Sequence, residues 1–196
     1  VEVTREAVGV VAIISPWNFP TATAVWKIAP ALAYGNSVIW KPANLTPASA
    51  VALAEIIHRQ GLPEGTFNLV LGGGSSVGDA LINSKDIDAV SFTGSVATGR
   101  KVAAATAPNF VRCQLEMGSK NALVIADDAD LQIAIDAAVA GAFGGSGQKC
   151  TASSRLIVMD GIHDAFVDGV VAKMKTLKVG HALDDGIFMG PVVDDK

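Results

Sequence analysis

The sequence predicts an α/β fold: a mostly parallel sheet with helices on both faces, followed by the start of a second α/β unit. Three observations carry this expectation. Short, β-branched apolar runs alternate with helix-like stretches along most of the chain, the rhythm of right-handed crossovers on a parallel sheet. Hydrophobic residues make up 50% of the 196 residues and charged ones 17%, which suits a sheet buried on both faces. The alternation stops at a small-residue break, Glu116-Met117-Gly118-Ser119-Lys120, and then restarts. A boundary is therefore expected there, giving segments 1–118 and 119–196.

Val8 to Ile14 is a continuous apolar run closed by Ser15-Pro16-Trp17-Asn18-Phe19-Pro20, a buried strand feeding a loop. Thr21 to Tyr34 reads as a helix stopped by Gly35-Asn36, and Ser37 to Trp40 as a second strand ending at Lys41-Pro42. Thr46-Pro47 reads as a cap with proline at the first helical position, leading a helix as far as Gly61. Phe67 to Leu71 gives a third strand, and Ser75 or Ser76 is expected to cap a short helix to Asn83. Ala89 to Phe92 gives a fourth strand, Thr93 to Gly99 a turn into a helix reaching Thr106, and Val111 to Leu115 a fifth strand.

In the second segment, Asn121 to Ile125 is a short strand, and Asp128 and Asp130 precede a helix over Leu131 to Phe143, where negative charge favours the N-terminus. The glycine-rich stretch Gly144 to Cys150 follows. Arg155 to Met159 is strand-like, Ile162 to Lys175 helical, and 179–196 mostly irregular.

The net charge of -4, spread evenly, supplies no basic stripe for a nucleic acid or an acidic membrane. Apolar runs fall far short of the roughly 18 residues of a membrane span. Two cysteines are too few for a disulfide scaffold, so a reducing cytoplasm is the default setting. Three scattered histidines have no metal-like spacing, and no metal is expected. The chain starts without methionine, and both ends read as the interior of a longer protein.

Several residues fall where chemistry would be placed. Thr93 to Gly99 lies between a strand and a helix, where a dinucleotide pyrophosphate binds, although Gly94-x-x-x-x-Gly99 also describes an ordinary tight turn. Cys150 follows a glycine-rich loop and is the nucleophile candidate; Cys113, inside a strand, fits an inert buried thiol. Glu116 at a strand end can activate water or cap a helix. Asn18 can direct an amide at a developing oxyanion or organise its turn. Lys41, also at a strand end, can meet a ribose or phosphate or simply be solvated.

The order and spacing of these pieces resemble the aldehyde dehydrogenase superfamily. The resemblance runs from Pro16-Trp17-Asn18-Phe19-Pro20 through Trp26-Lys27, Pro30-Ala31-Leu32, Gly35-Asn36, Lys41-Pro42-Ala43, Phe92-Thr93-Gly94-Ser95, Leu115-Glu116-Met117-Gly118 and Gly147-Gln148-Lys149-Cys150 to Gly190-Pro191. Finer wording, Ser95 to Arg100 and Cys150 to Arg155, is similar to the branch that oxidises α-ketoglutaric semialdehyde (2,5-dioxopentanoate); the succinate-semialdehyde and betaine-aldehyde branches share much of it.

The resemblance implies a Rossmann-like part of an NAD(P)-binding domain over 1–118 and the first part of a catalytic domain over 119–196. It implies that Cys150 attacks the aldehyde, that Asn18 and the Cys150 amide hold the oxyanion, that Glu116 activates water on the thioester, and that Lys27 serves proton relay. NAD or NADP would be met by Ile14, Ser15, Pro16, Trp17, Lys41, Ala43, Asn44, Gly74, Gly78, Phe92, Thr93, Gly94, Ser95, Met117 and Gly118. The partner would be a small-molecule aldehyde, and the full-length parent a homo-oligomer, dimer or tetramer.

Two positions depart from the family pattern. Asn44 stands where many members have glutamate, which removes an obstacle to a 2′-phosphate. Ser119 replaces a second glycine, which would strain the chain if that glycine needs positive φ. Two further readings stay open: a truncated nucleotide-binding or structural fragment, and a cofactor-independent cysteine hydrolase.

Overall fold

A computed structural model describes residues 1–195. The chain divides into two compact units, Val1–Met117 and the segment from Gly118 onward.

The first unit is built from β1 (Val10–Ile14), α1 (Ala22–Ala33), β2 (Ser37–Lys41), α2 (Pro47–His58), β3 (Phe67–Leu69), α3 (Asp79–Asn83), β4 (Ala89–Gly94), α4 (Val96–Thr106) and β5 (Arg112–Met117). All strand pairings are parallel, in the order β3-β2-β1-β4-β5. The order reverses between β1 and β4, so a crevice opens there at the carboxyl ends of the strands, the general ligand position of such sheets. Because strand side chains alternate, the sheet has two faces with separate cores. Val11, Ile13, Val38 and Trp40 pack with Ala24, Ile28 and Ala50 of α1 and α2 on one. Ala12, Val90 and Phe92 pack with Val102 of α4 on the other.

The strands differ from the sequence expectations at their ends, for local reasons. The first begins at Val10 rather than Val8, because the Val8 and Gly9 amides donate to Asn36 Oδ1 at 2.7 and 3.1 Å. The third stops at Leu69. The fourth runs on through Thr93 and Gly94, which pair with Glu116 and Met117, so these four residues are ladder rather than turn or break. Neither Ser75 nor Ser76 caps the short helix. The Gly73 carbonyl accepts the amides of Ser76, Val77 and Gly78 in a wide π-turn over Gly74–Gly78 that runs into α3. Thr46 precedes Pro47 as expected but makes no side-chain cap bond, and its hydroxyl is buried without a partner. Cys113 is exposed, contrary to the buried thiol expected; its strand is the sheet edge, with a neighbour on one side alone.

The second unit contains β6 (Asn121–Ile125), α5 (Leu131–Phe143), β7 (Ser153–Val158) and α6 (His163–Met174). The strands pair in parallel, and Ile125, Ile135, Ala138 and Phe166 form the core. Asp130 caps α5, accepting from the Ile133 amide at 3.0 Å, as the acidic pair suggested. β7 begins at Ser153, two residues earlier than the sequence suggests. Past Lys175 the chain is irregular, apart from a bridge between Val179 and Met189.

Candidate active site

At the carboxyl end of the first sheet, successive strands deliver Ile14 and Ser15, Lys41, Gly94 and Ser95, and Glu116. Ser15 is buried, and its hydroxyl accepts the Trp40 Nε1 hydrogen bond at 2.8 Å, tying the start of the Pro16-Trp17-Asn18 loop to the core. Asn18 accepts the Phe19 amide on its side-chain oxygen at 3.1 Å. Ser95 caps α4, accepting from the Thr98 amide at 3.2 Å. The Gly99 amide reaches the Ser95 carbonyl at 2.9 Å. Val96 and Ala97, the first helical residues, therefore present amides with no acceptor inside the helix. This helix N-terminus lies at the β1/β4 crevice and fits the charge of a pyrophosphate.

The small residues around it are there for packing. A Cβ on Gly99 would stand 2.5 Å from Met117 Sδ, and one on Gly94 would stand 2.6 Å from the Phe92 ring. Thus Gly94-x-x-x-x-Gly99 lets β4, β5 and α4 close together at the crevice. Met117 and Gly118 are exposed at the end of β5, and Phe92 is core. Lys41 is buried, donates to the Pro42 carbonyl at 3.0 Å, and has its stem against Gly78. Burial pushes its ammonium below the ordinary lysine range. Ala43 is half-buried and Asn44 exposed on the turn that follows. Gly74 has open space where a side chain would be.

The opposite face of the sheet carries a polar row that the sequence reading only half found. Lys27 lies in the α1 stripe of Thr23, Ala24 and Ile28 that faces the sheet. A cation there needs acceptors. It donates to Ser91 Oγ at 2.8 Å and Gln114 Oε1 at 3.3 Å, while Gln114 Nε2 donates to Glu116 Oε1 at 3.4 Å. Burial lowers the Lys27 pKa, and the Glu116 carboxylate partly offsets this. Ser91 and Gln114 were missed. Their polar identity at alternate strand positions was the available signal, but only the β4–β5 pairing makes Ser91 and Gln114 neighbours.

In the second unit, Cys150 is exposed in a turn between α5 and β7. The loop that carries Cys150 leaves the carboxyl end of α5. Gly145, Ser146 and Gly147 all have left-handed backbone, with φ of 63, 57 and 68°. Ser146 Oγ donates to the Gly190 carbonyl at 3.0 Å, and Gln148 Oε1 accepts from the Val193 amide at 3.3 Å. The distant Gly190-Pro191 motif is thereby laced to the cysteine loop. Asn121, another missed residue, donates from Nδ2 to the carbonyls of Cys150 at 2.7 Å and Ala152 at 3.1 Å. A register shift between Asn121 and Ala122 accompanies this clamp; nothing in the linear sequence announces it.

Among the described residues, no cluster of His, Cys, Asp and Glu could hold a metal ion, and no helix is long and apolar enough to cross a membrane. The concavity lined by Ser84, Asp88 and Phe110 lies at the amino end of β4 and β5, away from the crevice.

The chain resembles known proteins in sequence and in fold. Alpha-ketoglutaric semialdehyde dehydrogenase of Bacillus subtilis is 45% identical over 96% of the chain, and 2,5-dioxopentanoate dehydrogenase of Saccharolobus solfataricus 46% identical over 97%. The chain spans 39% and 40% of their respective lengths. Among solved structures, betaine aldehyde dehydrogenase from Staphylococcus aureus in complex with NAD+ superposes with a TM-score of 0.95 at 43% identity, over 97% of this chain and 38% of that one. An NADP dependent enzyme of E. coli gives a TM-score of 0.93 at 41% identity, over 96% and 39%. A model of the aldehyde dehydrogenase family matches residues 1–196, and the chain belongs to that family.

Proposed function

We propose that the protein oxidises an aldehyde to a carboxylic acid with NAD or NADP, using Cys150 as nucleophile, Asn18 as an oxyanion donor and Glu116 as the base for hydrolysis. The observation that carries this reading is the gathering of Ser15, Lys41, Ser95 and Glu116 at the carboxyl end of one doubly wound sheet. The first unit is on this reading the larger part of a dinucleotide-binding domain, and the second the opening of a catalytic domain.

The groups present fit a dinucleotide. The open amides at the start of α4 suit its pyrophosphate, and Lys41, with Ala43 and Asn44 on the next turn, suits a ribose. The loop from Ile14 to Trp17, the π-turn from Gly74 to Gly78, and the stretches Phe92 to Ser95 and Met117 to Gly118 form the rest of its proposed surroundings. When bound, the cofactor supplies an acceptor for the hydride that leaves the substrate carbon.

The chain's own residues do the remainder. The Cys150 thiolate adds to the aldehyde carbon, giving a thiohemiacetal whose oxyanion is held by the Asn18 amide and the Cys150 N–H. Neutral donors stabilise that charge without trapping it by full protonation, so it remains available to expel hydride. Loss of hydride leaves a thioester on Cys150. Glu116 then takes a proton from water as the water oxygen attacks the thioester carbon; the C–S bond breaks, the thiolate is regenerated and the acid leaves. Lys27 belongs to the polar row behind Glu116 and supports its proton transfers.

The proposed substrate is α-ketoglutaric semialdehyde, supported by the names of two similar relatives. Asn44, with no carboxylate to repel a 2′-phosphate, supports acceptance of NADP as well as NAD. The test is formation of reduced cofactor with 2,5-dioxopentanoate, succinate semialdehyde and betaine aldehyde, each with NAD and with NADP. Turnover of 2,5-dioxopentanoate with kcat/KM highest in that panel is expected. No turnover in any combination overturns the reading, ester hydrolysis without cofactor points to the hydrolase, and strict NAD preference removes the role given to Asn44.

A further inference from the structure

Gln114 takes no part in the chemistry above, yet it touches Lys27, Ser91 and Glu116. Its orientation is not arbitrary. A carboxamide has an acceptor end and a donor end, and an ammonium has donors alone. Both the Ser91 hydroxyl and the Lys27 ammonium donate to Oε1. Reversing the amide would set its NH2 against the ammonium. Nε2 is thus directed to Glu116 Oε1, at 3.4 Å. Lys27 and Glu116 do not form a direct ion pair; the amide stands between them.

We propose that Gln114, locked by Ser91 and Lys27, is a positioning residue for Glu116: its amide fixes the direction of the carboxylate. The inference rests on the base role proposed for Glu116. With the donor removed the carboxylate loses that fixed direction, so hydrolysis slows while the steps before it do not. Within the first unit, the titratable group facing Glu116 from α1 is Lys27. β4 offers Ser91 and Thr93, neither of them charged, and on β5 itself Arg112 shares the face two pleats away. Placing an amide rather than a direct ion pair between Lys27 and Glu116 leaves the lysine field acting on the base without a salt bridge that must break at each turnover. Gln114 also gives Lys27 a role without making it a proton donor to Glu116: it anchors the amide.

The experiment compares the native protein with Gln114→Met and Gln114→Glu, using 2,5-dioxopentanoate and whichever of NAD and NADP supports turnover. Steady-state kcat is measured alongside the rate of the first-turnover burst of reduced cofactor, which reports steps before hydrolysis. For Gln114→Met steady-state kcat should fall by about tenfold, with burst rate and cofactor KM unchanged. Gln114→Glu keeps the shape and the acceptor for Lys27 but has no donor for Glu116, so its kcat should fall at least as far. This variant decides the matter if the methionine variant does not fold. An undiminished kcat in the folded variants, or an equal loss in burst and steady-state rates, overturns the inference. Absence of any turnover in the native protein instead overturns the functional reading beneath it.

Discussion

Lys27 shows how one residue can be costly to the fold and useful to the site. It occupies a place in the α1 stripe that an apolar side chain would fill more cheaply, and the polar contacts to Ser91 and Gln114 offset only part of the desolvation. Its pKa, like that of Lys41, is lowered by burial from the ordinary 10.5. The unfolded chain therefore binds more protons than the folded one between the depressed values and 10.5, and stability should rise with pH across that alkaline window. The contribution is a penalty at neutral pH that fades as the folded lysines deprotonate. Thermal melts from pH 8 upward should show the rise, and Lys27→Met with Lys41→Met should flatten it. A slope unchanged in the double variant would mean that the burial of these ammonium groups is not what drives it.

Among the elements, the turn leading to Cys150 is constrained by its backbone. Gly147 combines φ of 68° with a close approach in which a Cβ would stand 2.8 Å from the Ala142 carbonyl oxygen, a backbone atom that cannot swing aside. Gly147→Ala should cost about 1–2 kcal/mol from the left-handed backbone alone, more with the clash, seen as a lower Tm and faster thiol labelling of Cys150. An unchanged Tm would show that the loop relaxes without cost. Gly99 is a different case: its close neighbour is Met117 Sδ, on a flexible side chain, so Gly99→Ala should be milder for stability than Gly147→Ala. The two glycines look alike as letters, and their demands differ because one faces backbone and the other a side chain.

At the scale of the whole chain, the proposed cofactor groups and the proposed nucleophile belong to different units: Ser15, Lys41 and Ser95 to the first, Cys150 to the second. Nucleotide affinity and turnover should therefore be separable. Cys150→Ser should lose aldehyde oxidation by about a thousandfold or more while the Kd for NAD or NADP, followed by tryptophan fluorescence, stays within a few-fold of the native value. Loss of binding together with activity would place the cysteine in the architecture of the cofactor site as well as in its chemistry.

The amino-acid sequence determined the alternation of strands and helices, the break near Gly118, the family, and the residue types suited to thiol, amide and carboxylate chemistry, because each of these is written in local patterns and short motifs. It misjudged Cys113, whose exposure follows from its strand lying at a sheet edge, and it assigned the short helix after Gly74 to a serine cap where a glycine carbonyl gathers the amides. Strand order, and with it the β1/β4 crevice, was decided by tertiary structure. So were the partners of Lys27, since Ser91 and Gln114 lie 64 and 87 residues away, and the clamp of Asn121 on the Cys150 carbonyl, 29 residues away. Sequence periodicity tells which face a side chain takes; which side chains meet on that face depends on pairings between distant strands, and these form only when the chain closes on itself.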